Sequence, residues 1–159
     1  MEKISILLFS LFLFSCGSSG EKKKGFEYNR TQKEEKKSQP SSAASVPVDL
    51  DNKGIGPISS VDFSTPINQE MVSQGENAFN QKCTACHMPN RKLIGPAMTG
   101  IYERRSPEWV MNMLLNPTEM LKQDPIAKAL LKEYNNVMML NQNLSQEEAR
   151  AIAEYLRTL

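Results

Sequence analysis

Apolar residues in this chain form one dense run near its start, then a long stretch that nearly lacks them, then a portion where they recur at helical spacing. From Thr65 onward, Met71, Gly75 and Phe79 stand four residues apart, and this spacing predicts one helix face within TPINQEMVSQGENAFNQKC. RRSPEWVMNMLLNP opens with Ser106 as a cap and Pro107 in the first turn, where a missing N–H costs nothing, and it stops at Asn-Pro. DPIAKALLKEYNN repeats that opening with Asp124 and Pro125. The last helix is the best marked. Ser145 and Glu148 form an S-x-x-E capping box, and Leu144 and Ala149 are spaced as a hydrophobic staple. Ala149, Ile152, Ala153 and Leu156 then line one face. No segment alternates as a strand does, so the pattern predicts an all-α domain over residues 65–159.

The early apolar run, Ile4 to Phe14, follows Lys3 and ends among small residues around Cys16. A membrane-crossing helix needs about 20 residues, so residues 1–15 read instead as a secretory signal peptide. The LFSC at its end resembles the lipobox of bacterial lipoproteins, although Phe14 is bulkier than usual there. The resemblance implies acylation of Cys16, a lipid anchor in the cell envelope and a domain in the periplasm. The other reading is an ordinary leader with an incidental Cys. Both place the chain in a compartment that permits covalent thiol chemistry. Residues 16–64 are rich in Ser, Lys, Glu, Gln and Pro, too polar to offset the entropy of ordering, and they read as a flexible linker. About 45 such residues give a reach of roughly 35–40 Å. Only GIGPISSVDF, residues 54–63, regains apolar character, which suits an extended arm packed on the domain.

A formal charge of +1 gives no reason to expect a nucleic-acid partner. Composition raises a different problem. A domain of short helices with few aromatics and no disulfide to spare is short of core, so something besides side chains should fill its middle. CTACH, Cys83 to His87, supplies the candidate. In an exported chain, C-x-x-C-H reads as attachment of one c-type haem. Two thiols three residues apart on a helical turn can each add to a vinyl group of one porphyrin, and the adjacent His lies under the iron. Zinc would want four ligands and would have to recruit carboxylates. A C-x-x-C redox site normally follows a strand. A plain disulfide would leave His87 unexplained. An apolar macrocycle also provides the missing core.

From about residue 66 to 159 the chain resembles the small class I monohaem cytochromes c. The resemblance rests on Gly75 and Phe79 before CTACH, then IGP (Ile94 to Pro96), RRSPEWV, NP and the LSQEEARAIAEYL helix. It implies short helices wrapped around one haem bound covalently through Cys83 and Cys86, with His87 as proximal ligand. It further implies that the Pro96 carbonyl fixes the His87 ring. The first and last helices should cross closely, with Gly75 and Phe79 against Ile152 and Tyr155.

His87 is the only histidine, so a second histidine ligand from the same chain is excluded. With Met1 removed in the leader, eight of the nine methionines remain as candidates. Met88 adjoins the motif on the wrong side of the ring. Met111, Met113 and Met120 suit helix packing, and Met71 and Met98 suit a helix face and a loop. Met138 and Met139 lie in a polar, non-periodic segment before the last helix, where the family carries its axial Met, often followed by Pro. The resemblance favours Met139 as the sixth ligand, with Leu140 in the Pro position, and Met138 is the alternative. A thioether ligand stabilises ferrous iron and closes it to substrate. The resulting expectation is a monomeric electron carrier rather than an enzyme, tethered to the membrane between a quinol-oxidising complex and a terminal reductase or oxidase, nitrous oxide reductase among the candidates. The alternative is a haem enzyme or gas-binding protein with an open or labile sixth position. Lys82, Arg91, Lys92, Arg104 and Arg105 cluster in sequence around the attachment motif and suggest a basic rim for an acidic redox partner.

Overall fold

The computed structural model describes residues 46–159; the expected signal peptide, Cys16 and the expected linker up to residue 45 lie outside the described residues. The described residues form five α-helices: α1 Gln69–Lys82, α2 Pro107–Leu115, α3 Pro117–Gln123, α4 Pro125–Glu133 and α5 Gln146–Leu156. A 3-10 turn, Ile101–Glu103, precedes α2. Among the described residues the only strand-like pairing is a single bridge between Asp49 and Arg105.

The caps form as the sequence dictates. Ser106 accepts from the Trp109 N–H, Asp124 from the Ala127 N–H, and Ser145 and Glu148 close the capping box. The helix α3 was not foreseen. Asn-Pro, read as a stop, ends α2 and also starts α3, because Pro117 occupies the first turn just as Pro107 and Pro125 do.

Helices α1 and α5 make the principal crossing. A Cβ on Gly75 would lie 2.0 Å from the Ala151 carbonyl oxygen, so the helix backbones touch where a side chain would stand. Beside this contact Phe79 is fully buried and meets Tyr155 at 5.5 Å between ring centroids. Ile152, Ala153 and Leu156 complete the buried face of α5.

The same helix buries a charge. Glu154 is 1% exposed and accepts from the Asn68 N–H at 2.9 Å, Arg150 at 2.6 Å and Arg157 at 2.8 Å. Asn68 caps α1, so this carboxylate joins the start of α1 to the end of α5. Burial pushes the Glu154 carboxyl up, but the Asn68 N–H and the two arginines outweigh it and hold it below its ordinary value. A depressed folded pKa gives stability that is complete above the unfolded value of 4.5 and lost as pH falls through the lower folded value. Glu154→Gln should therefore cost about 2–3 kcal/mol at pH 7. The difference from wild type should shrink below pH 4.5 in urea titrations. An equal difference at pH 3 and pH 7 would refute this role.

An irregular strap, residues 46–64, lies along α2 and α3. Packing extends beyond the 54–63 arm: Val46, inside the segment read as linker, also touches the core. The strap has almost no secondary structure of its own, so side chains of the helices satisfy its backbone groups. The buried Asn112 amide donates to the Lys53 and Ile58 carbonyls, each at 2.9 Å, and accepts from the Ile58 N–H at 3.0 Å. Ser106 donates to the Asn52 carbonyl at 2.6 Å and Asn116 to that of Ile55 at 3.2 Å. The sulfur of buried Met120 accepts from the Ile55 N–H at 3.0 Å. Asp124 receives the Asn52 amide at 2.7 Å and the Trp109 indole N–H at 3.1 Å.

Candidate functional site

Helix α1 delivers the motif. Its last turn ends at Cys83, whose N–H donates to the Phe79 carbonyl at 2.8 Å. The Cys83 carbonyl then accepts from both the Cys86 and His87 N–H groups, at 3.0 and 2.9 Å, so the five residues coil into one tight turn. Cys83 is buried and Cys86 exposed, and neither is in a disulfide. Burial pushes the Cys83 thiol up to about 11, which keeps it protonated at neutral pH.

The loop after the motif folds back over His87. The Gly95 N–H donates to the Cys86 carbonyl at 2.8 Å, and Met98 and Thr99 N–H groups reach the Pro89 carbonyl at 3.0 and 2.8 Å. This places the Pro96 carbonyl 3.1 Å from His87 Nδ1. With Nδ1 donating there, Nε2 is left with its lone pair. Burial pushes the His87 imidazole below its ordinary value, against the opposite pull of the Pro96 hydrogen bond, so the ring is neutral at pH 7. The ring also lies directly on Gly95, where an added Cβ would come within 2.5 Å of Cε1 and 3.0 Å of Nε2. Sequence reasoning gave Pro96 a role here and missed Gly95, whose signal was its place immediately before that proline.

The two methionines expected as candidate ligands lie on the segment between α4 and α5. Asn135, Asn136 and Asn143 adopt left-handed φ angles of 57°, 60° and 51°, which asparagine tolerates better than most residues. They turn the chain out of α4 and again before α5. Between them the side chains diverge. Met138 is 62% exposed, whereas Met139 is turned inward and packs on the hydrophobic core. Met111 and Met120 are buried in the helix packing expected of them.

These residues fit a c-type haem: two unpaired thiols on one turn, a neutral imidazole with a free Nε2, and an inward thioether on a separate loop. Exposed Leu93 and Ile94 in the first loop, with Val137, Met138 and Leu140 in the second, offer apolar surface for a macrocycle to cover.

Comparison with known proteins agrees. The family model for cytochrome c matches residues 72–159, more than half of the chain. The chain belongs to the cytochrome c family.

Among solved structures, a cytochrome c from Rhodothermus marinus is 44% identical, with a TM-score of 0.62 over 65% of this chain and 88% of that one. An engineered form of the Rhodothermus protein is 43% identical, with a TM-score of 0.62 over 65% and 89% of the two chains. A further structure of the engineered form, bound to a carbene intermediate, is 43% identical with a TM-score of 0.60 over 65% and 88%. No curated protein matches the sequence. This cytochrome c therefore carries covalent haem through Cys83 and Cys86, and its family chemistry is haem-based electron transfer.

The charges around the site differ from the sequence expectation. Of the five basic residues, only Arg91 and Lys92 are exposed. Lys82 pairs with Glu148 at 2.9 Å, and Lys92 also stands 4.1 Å over the Tyr134 ring. Arg105 is buried against the strap, and half-buried Arg104 turns to backbone carbonyls. Charges adjacent in sequence are consumed by internal contacts, and sequence alone could not show that.

Proposed function

We propose that this cytochrome is a one-electron carrier with His87 and Met139 as axial ligands, held at a membrane of the cell envelope through lipidated Cys16. The observation that carries the reading is the pairing of the chain's only histidine, its Nδ1 satisfied by Pro96, with a methionine loop in which Met139 is turned inward. A c-type haem supplies a reversible Fe(III)/Fe(II) couple. The chain's residues tune it. The Pro96 carbonyl sets the orientation and basicity of His87. The Met139 thioether would hold the haem iron and favour its reduced state. Exposed Arg91 and Lys92, beside apolar Leu93 and Ile94, provide a small rim suited to transient, salt-sensitive docking.

The partners that fit a tethered carrier are a quinol-oxidising complex as donor and a terminal reductase or oxidase as acceptor, with the domain in the periplasm. A tether converts each encounter into an intramolecular one and raises the effective concentration. Met139→Ala is expected to abolish the sulfur-to-iron charge-transfer band of the ferric protein, while Met138→Ala leaves it in place. The reverse result would assign Met138, and retention of the band in both variants would end the methionine reading.

The engineered Rhodothermus relative holding a carbene motivates a second reading, an iron with a labile sixth position. Rapid CO binding by the ferrous wild-type protein at neutral pH would favour it over the carrier.

A further inference from the structure

Asp49 and Pro47, at the start of the strap, are linked through Arg104 and Arg105 to the loop that orients His87. The backbone carbonyl of Arg104 accepts from the Asp49 N–H at 3.1 Å. The neighbouring Arg105 is 4% exposed; its guanidinium donates to the Pro47 carbonyl at 2.8 Å and sits 5.5 Å over the Trp109 ring. Arg105 also donates to the Arg104 carbonyl, so that oxygen is held from both the strap and the buried guanidinium. The Arg104 side chain points the other way. Its fork donates to the Ala97 carbonyl at 3.2 Å and the Thr99 carbonyl at 3.0 Å. Ala97 follows Pro96 directly, and the Pro96 carbonyl shares a planar peptide unit with the Ala97 N–H. Fixing Ala97 and Thr99 therefore fixes the oxygen that His87 Nδ1 addresses.

We propose that docking of the strap positions the proximal histidine, with Arg104 as the positioning residue that transmits it. The proposal rests on the reading of His87 as the iron ligand. With the strap seated, Arg104 is held by its backbone and its guanidinium spans the turn after Pro96. With the strap lifted, the Arg104 carbonyl loses its Asp49 donor, and Arg105 loses Pro47 and is opened to water. The turn then rests on its local contacts to Cys86, Met88 and Pro89, and the Pro96 oxygen has fewer restraints against drifting from His87. A weaker hydrogen bond at Nδ1 makes the imidazole a poorer donor to ferric iron, which raises the midpoint potential. Strap docking would thus keep the potential low and the ring orientation single.

The test uses the full-length haem-loaded protein and follows exchange of the His87 Nδ1 proton by NMR in the ferrous state, together with the midpoint potential. Asp49→Pro removes the N–H that reaches Arg104, and Asp49→Asn carries the same charge change but keeps that N–H. Asp49→Pro should speed exchange tenfold or more and raise the potential relative to Asp49→Asn, which should exchange as wild type. Arg104→Lys, which keeps the charge but loses the two-carbonyl fork, should accelerate exchange likewise. A wild-type exchange rate in either Asp49→Pro or Arg104→Lys overturns the proposal. Equal acceleration of the α1 and α5 backbone amides also overturns it, because that would report general loosening. The wild-type protein tests the underlying reading separately: absence of a low-spin, His-ligated ferric spectrum would remove His87 as ligand before any variant is compared.

Discussion

Gly75→Ala is expected to cost about 3–5 kcal/mol, a large share of the stability of a domain this size. The added Cβ would stand 2.0 Å from the Ala151 carbonyl oxygen, 2.5 Å from its carbonyl carbon and 2.9 Å from the Ile152 nitrogen. All three are backbone atoms in the middle of α5, so no rotamer change relieves the clash and the two helices must move apart. That separation opens the Phe79–Tyr155 contact and exposes Ile152, buried completely in the intact protein. Alanine's better helix propensity returns only about 1 kcal/mol. Urea denaturation of the haem-loaded protein measures the effect, and exposed Gln74→Ala in the same helix is the control, expected within about 0.5 kcal/mol of wild type. A Gly75→Ala protein as stable as the control would mean that α1 and α5 do not meet as described.

Gly95→Ala should strike the site rather than the fold. Its Cβ would meet the flat face of His87 at 2.5 Å from Cε1 and 2.8 Å from Nδ1. The ring must tilt or the loop must lift, and either movement disrupts the 3.1 Å contact between Nδ1 and the Pro96 carbonyl. The apo domain should lose about 1–3 kcal/mol, the ordinary cost of overpacking. The larger consequence is for the iron. A displaced imidazole should give a mixture of spin states in the ferric protein and lower the fraction that retains covalent haem after purification. Ferric absorption and EPR spectra decide the matter, since a homogeneous low-spin signal identical to wild type would show that the ring does not rest on Gly95. The glycine is needed for close approach, and backbone freedom plays no part in the argument.

The parts of this protein that were legible in its sequence are those encoded locally. Capping residues at Ser106, Asp124 and Ser145 announced three helix starts, because a side chain that accepts an N–H two or three residues on needs no distant partner. CTACH announced the haem, because the cofactor's own geometry demands adjacent ligands. The second helix start at Pro117 was hidden, since Asn-Pro marks an end as readily as a beginning. The strap was legible only in part. Its residues carry little periodicity, and what holds it is a set of buried polar side chains more than 50 positions away, Asn112 foremost.

The sequence by itself determined the helical class, the covalent haem site and the elimination of a second histidine, all of which follow from short-range spacing and from counting residue types. Only the tertiary structure decided which of two adjacent methionines faces inward, which of five clustered cations remain on the surface, and that a strap bonds to Arg104, whose side chain holds the Ala97 carbonyl beside Pro96. The physical reason is the same in each case. A side chain's direction and a charge's partner depend on contacts between segments far apart in the chain, and those contacts exist only once the backbone has closed around its core.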